Sequence, residues 1–122
     1  MLNILEKNRL LSLILTAVCF TLIFYISSLK FTGTGGKSSM IAVIYHFTAF
    51  SYLTLFLLIS LTQGRKNSLL IILGMLIVVI YGITDELHQF LVPGRSSSIN
   101  DFLIDSLGII LIGIAYNSCR KK

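Results

Sequence analysis

The chain has 122 residues, 55% of them hydrophobic and only 12% charged, with a formal net charge of +5. A water-soluble domain carries about 25% charged residues, and a chain this short has little interior in which to hide so much apolar surface. The bilayer is therefore the expected solvent, and nucleic acid is excluded as a partner because the basic residues lie in short clusters between apolar runs, not in one stripe.

The first apolar run, LLSLILTAVCFTLIFYISSL, covers 10–29, and the second, MIAVIYHFTAFSYLTLFLLISL, covers 40–61. Each reaches the roughly 20 residues that a helix needs to cross the hydrocarbon core. Lys7 and Arg9 precede the first run as in a signal peptide. That run is long for a cleaved segment and no A-x-A site follows it, so it reads as a retained span. The third run, LLIILGMLIVVIYGI from Leu69, is short unless it continues through TDELHQFLV, which predicts a helix over 68–91. The fourth, FLIDSLGIILIGIAY, is short unless it starts near Ile99 or Asn100, which predicts a helix over 99–117. Pro93 and Gly94 supply the break between them, Ser97, Ser98 or Asn100 the cap, and Asp101 a negative charge at the positive end of the last helix. The expected fold is all-α, a four-helix transmembrane bundle in a single domain over 1–122, with no internal repeat and no appended soluble domain. Cys19 lies in an apolar run and Cys119 in a basic tail, so neither a disulfide framework nor a structural zinc site built on Cys/His is expected.

Basic residues set the orientation. Lys7, Arg9, Arg65, Lys66, Arg120, Lys121 and Lys122 flank one side, seven against the three of Lys30, Lys37 and Arg95 on the other. Positive residues favour the cytoplasm, so both termini are expected inside and the segment 84–101 at the outer face. A reporter fused at Lys122 and found outside would overturn this.

Most of the acidic residues sit in that outer segment. On a helix, Asp85 and Gln89 are one turn apart, His88 is close to the same face, and Glu86 points about 100° away. Asp101, Asp105 and Gly108 share a face of the fourth helix. His46 lies about two turns into the second helix, at the depth of Asp85 and Asp105, and Ser27 and Ser28 end the first. An aspartate at the bilayer centre costs roughly 2.5–3.5 kcal/mol on insertion scales, so ionisable residues at such depth face a bundle interior or a watery cavity. Plainer readings stand beside this one. Glu86 and Asp101 could be interfacial charges, Arg95 could snorkel, and His46 could be a neutral histidine bonded to a neighbouring helix. Gly108 and Gly113 suit close helix packing, and Tyr25, Tyr45, Tyr52, Tyr81 and Tyr116 suit packing or an interfacial belt. Three chemistries fit the set. Carboxylates with histidine could perform acid–base work, and Asp85, His88, Asp105 and His46 could bind a divalent cation, although no fixed spacing such as HExxH is present. Arg95 with His88 could grip a phosphate. The residue types do not choose among them.

The stretch TDELHQFLVPGRSSSINDFLIDSLG resembles the signature of VanZ-like membrane proteins, roughly D-E-x-x-Q-x-x-x-P-G-R, an acidic position, then D/N-x-x-G. The matching residues are Asp85, Glu86, Gln89, Pro93, Gly94, Arg95, Asp101, Asp105 and Gly108. His46-Phe47 is similar to the family's second-helix motif and FYISS, 24–28, to the end of its first helix. Leu29 stands where members often carry Gln, and Ala49 where many carry Glu. The resemblance implies a multi-pass protein of the bacterial cell membrane, in a family whose founding member is linked to low-level teicoplanin resistance and which carries no settled mechanism. The expected site comprises His46, Asp85, Glu86, His88 and Asp105 as catalytic groups, with Gln89, Arg95, Asp101 and Ser28 as ligand contacts. Asp85 and Asp105 are its central carboxylates, His88 its proton carrier and Arg95 its anion contact. Membrane lipid, a lipid-linked envelope intermediate or a lipoglycopeptide is the expected partner. No metal is assigned, and cofactor, oligomeric state and enzymatic character stay open. One rival is a small proton-coupled drug transporter, although the first helix lacks the membrane carboxylate such exporters use. Another is a non-catalytic partner of a cell-wall enzyme, which full antibiotic tolerance in alanine variants of Asp85, Glu86 and Asp105 would favour.

Overall fold

A computed structural model of the chain describes residues 2–29, 40–95 and 97–119. Four helices are long and apolar enough to cross a membrane: α2 (Arg9–Ser28), α3 (Met40–Thr62), α4 (Ser68–Leu91) and α5 (Ile99–Ser118). They are preceded by a short α1 (Leu2–Lys7) that the hydropathy pattern does not reveal. No strand occurs among the described residues. The basic residues Lys30, Lys37, Arg120, Lys121 and Lys122 of the charge count lie outside the described residues.

Local chemistry sets the helix ends. The side chain of Asn8 accepts from the Leu11 amide and that of Asn67 from the Leu70 amide, both at 3.1 Å, which caps α2 and α4. Of the three candidate caps for α5, Ser98 takes the role, accepting from the Asn100 amide at 3.2 Å. Helix α4 runs through Thr84 and ends at Leu91. There the Arg95 amide donates to the Val92 carbonyl at 3.1 Å, with Pro93 next and Gly94 at φ 85°. This is a type II turn, which favours proline at its second position and needs positive φ at its third, a conformation open to glycine.

The four long helices alternate in direction. Helix α3 touches α1, α2, α4 and α5, whereas α2 and α5 do not meet, so α3 is the hub of the bundle. Its sequence suits that place, since Leu57, Leu58, Ile59 and Ser60 are buried in succession, which requires neighbours on every side. The other long helices turn residues such as Leu22, Ile80 and Leu111 outward, an apolar surface that matches lipid. Three threonine hydroxyls inside the bundle are satisfied locally. Thr16 donates to Ser12, Thr54 to Phe50 and Thr62 to Leu58, each to a carbonyl one turn back at 2.7–2.8 Å. Lipid tails are as apolar as leucine, so close packing and hydrogen bonds between helices must hold the bundle together. At Gly108 the helices α5 and α3 approach closely enough that an added Cβ would lie 2.9 Å from the Phe47 carbonyl oxygen.

Candidate functional site

The C-terminal ends of α2 and α4 and the N-terminal ends of α3 and α5 lie at one end of the bundle, and every candidate site residue is there. His46 Nδ1 and Asp105 Oδ1 meet at 3.0 Å across the α3–α5 contact, with side chains 4% and 0% exposed. Asp85 makes two bonds. Ser27 Oγ donates to its Oδ1, and Gln89 Nε2, one turn along α4, donates to its Oδ2 at 2.8 Å. The two central carboxylates are thus held by different helices, Asp85 by α2 and Asp105 by α3.

Glu86 turns away from Asp85, as one residue step on a helix dictates, and reaches the start of α5. Its Oε2 accepts from the Ser98 amide at 3.0 Å. That amide is the one that an acidic residue three positions past a serine cap ordinarily takes in a capping box. Asp101 holds this position but is displaced from the role. It is 8% exposed, and its Oδ1 has no hydrogen-bond partner. Glu86 Oε1 and Asp105 Oδ2 are likewise buried without partners. Atoms of His46, Glu86 and Asp101 that could ligate a metal lie within 4.8 Å of one another. Of the cation ligands suggested by residue type, only His46 belongs to this group; Asp85, His88 and Asp105 do not.

His88 pairs with neither carboxylate. Its Nε2 lies 2.9 Å from Ser28 Oγ, and its ring stacks on Phe24 with centroids 4.7 Å apart. Arg95, half-buried on the turn after α4, donates through Nη1 to the Ile26 carbonyl at 3.3 Å, beside the negative end of α2. The two serines that end α2 therefore serve different partners, Ser27 a carboxylate and Ser28 a histidine. Sequence reasoning put only Ser28 in the site. Ser12, Thr16, Ile23 and Ser27, the buried residues of α2, recur at helical spacing, and that stripe marks Ser27 as inward. Tyr81 is a further residue it missed, donating to the Phe20 carbonyl at 2.8 Å and so holding α4 to α2 below the site.

A groove of about 460 Å³ opens beside the cluster between α4 and α5, lined by Ile83, Glu86, Leu87, Phe90, Ser97, Ser98, Ile99 and Phe102. Apolar side chains form most of its wall, with Glu86 as its acidic member. The chemistry available at this end follows from the pairings. A carboxylate on one imidazole nitrogen fixes the tautomer of His46 and leaves the other nitrogen to take a proton or a metal ion. Glu86 Oε1, Asp101 Oδ1 and Asp105 Oδ2, buried without partners, are acceptors of the kind that suit cations, amines and hydroxyls.

Four membrane-length helices, apolar outside and joined at one end by an acid–histidine cluster, define a multi-pass membrane protein. The chain belongs to the VanZ/LLP1 family, whose family model matches residues 3–120, as the motif running from the end of α4 through the turn into α5 suggests. Comparison with curated proteins and with solved structures finds no match.

Proposed function

We propose that this protein sits in a bacterial cell membrane with both termini in the cytoplasm. Its polar end, at the outer leaflet, binds the headgroup of a lipid or of a lipid-linked envelope component. The groove between α4 and α5 takes the start of the ligand's hydrocarbon chain. Arg95 meets its phosphate, and the carboxylate of Glu86 meets its hydroxyl or amine groups. One observation carries this reading: Glu86 belongs both to the apolar groove and to the buried cluster, so a molecule lying in the groove has its polar end at the site. Residues of the groove such as Leu87, Phe90 and Ile99 also stand on the outside of the bundle, which gives lipid direct access. The excess of basic residues on the side of the termini supports the orientation.

Native mass spectrometry of the purified protein, released from nanodiscs of bacterial lipids, tests the binding. Wild type is expected to retain a lipid that is lost when the groove is filled by Leu87→Trp. The control Leu73→Trp, on the outer surface of α4 away from the groove, is expected to keep it. Equal retention by all three proteins would refute the reading.

A further inference from the structure

We propose that His46, Glu86 and Asp101 form a binding site for a divalent transition-metal cation, oriented by Asp105. The proposal shares Glu86 with the lipid reading but is tested with no lipid ligand. Three observations support it. Ligand atoms from the three residues already lie within 4.8 Å of one another, although they come from α3, α4 and α5. Both carboxylates also keep an oxygen that other bonds leave over. Glu86 spends Oε2 on the Ser98 amide and keeps Oε1, and Asp101, relieved of the capping role by that same bond, is 8% exposed with Oδ1 unpartnered. Finally, Asp105 binds Nδ1 of His46 at 3.0 Å, which leaves Nε2 as the ligand. A carboxylate behind a histidine is the usual outer support of a metal-bound imidazole, because it fixes the ring and raises its basicity.

Charge points the same way. Among the described residues at this end, Asp85, Glu86, Asp101 and Asp105 stand against Arg95 and two histidines. Burying carboxylates without a counter-charge is costly, and a dication offsets two of them at once. The donor set selects the metal. One imidazole with two carboxylates suits zinc, manganese or ferrous iron better than magnesium or calcium, which favour all-oxygen shells. Three protein ligands leave room for water or a substrate oxygen on the ion, as in catalytic sites.

The test uses the full-length protein in detergent, without a histidine tag, stripped with chelator and titrated with zinc or manganese against a chromophoric competitor. One ion per chain is expected. Glu86→Gln and Asp101→Asn, which keep shape and remove charge, should each weaken affinity at least tenfold, whereas Asp85→Asn, outside the group, should change it less than threefold. Cobalt bound to the wild type supplies a second measurement independent of variant folding, with an absorption spectrum and X-ray absorption expected to report a single imidazole among oxygen ligands. Failure of the wild type to bind any of these ions stoichiometrically overturns the proposal. So does binding that is indifferent to both Glu86→Gln and Asp101→Asn, or a cobalt shell with no imidazole.

Discussion

His46 and Asp105 are 59 residues apart in sequence and meet at 3.0 Å, with both side chains enclosed, so one bond ties the hub helix α3 to α5 at the polar end. Removing one member leaves the other buried without its partner. His46→Ala should destabilise the protein by about 3–5 kcal/mol, the range for breaking a buried pair, whereas the double replacement His46→Leu with Asp105→Leu should recover most of that loss. Thermal unfolding in detergent measures both. A double variant no more stable than His46→Ala would show that the site depends on these groups for more than mutual neutralisation.

Adjacent serines should respond differently. Ser27 is fully buried and donates to Asp85, so Ser27→Ala should cost about 1–3 kcal/mol by depriving a buried carboxylate of one donor. Ser28 is exposed, and its hydroxyl also donates to the Phe24 carbonyl, so Ser28→Ala should cost under about 1 kcal/mol. Equal losses would contradict the assignment of the two hydroxyls.

Two glycines of α5 offer a similar contrast. A Cβ at Gly108 would lie 2.8 Å from Ser51 Oγ and 2.9 Å from the Phe47 carbonyl oxygen, and a backbone carbonyl cannot retreat as a side chain can. Gly108→Ala should therefore separate α5 from α3 and cost about 1–3 kcal/mol. The three atoms nearest to a Cβ at Gly113 all belong to the Met75 side chain, an adaptable thioether, so Gly113→Ala should cost less than about 1 kcal/mol. Unfolding midpoints of the two variants, measured side by side, check the order.

Gly94 holds φ at 85° in the turn that places Arg95. Gly94→Ala should cost about 1–2 kcal/mol, the steric penalty of a left-handed residue with a Cβ, and Gly94→Asn should cost less because asparagine visits that region more readily. Both are read from unfolding midpoints. An alanine variant as stable as wild type would mean that the turn relaxes to another form.

Span length made most of the fold legible. Residues 84–91 look polar enough for a loop, yet a third helix ending at Ile83 is too short to cross a bilayer, and α4 does run to Leu91. Helix α1 was not legible, because six residues carry no periodic pattern and its burial rests on Leu5 against a cluster containing Leu58, Ile59, Ile71 and Tyr116. The gathering of polar groups at one end was readable because charge is rare inside membranes. The pairings were not. Sequence places His46, Asp85 and Asp105 at one depth, but whether a side chain meets a carboxylate or a serine depends on how each helix is rotated against its neighbours, and hydropathy does not encode that rotation. Asp101 shows the limit best. Its position matches a capping residue, and only the reach of Glu86 across to the Ser98 amide reveals that the role is taken.

The order in which the polar partners occur along the chain bears on how the protein enters its membrane. Ser27 lies on the first long helix and His46 on the second, whereas the carboxylates they bind, Asp85 and Asp105, arrive with the third and fourth. Ribosomal synthesis delivers the helices in that sequence. Each acidic side chain therefore reaches the bilayer after its hydrogen-bonding counterpart, and neither has to wait in lipid for a partner still to be made.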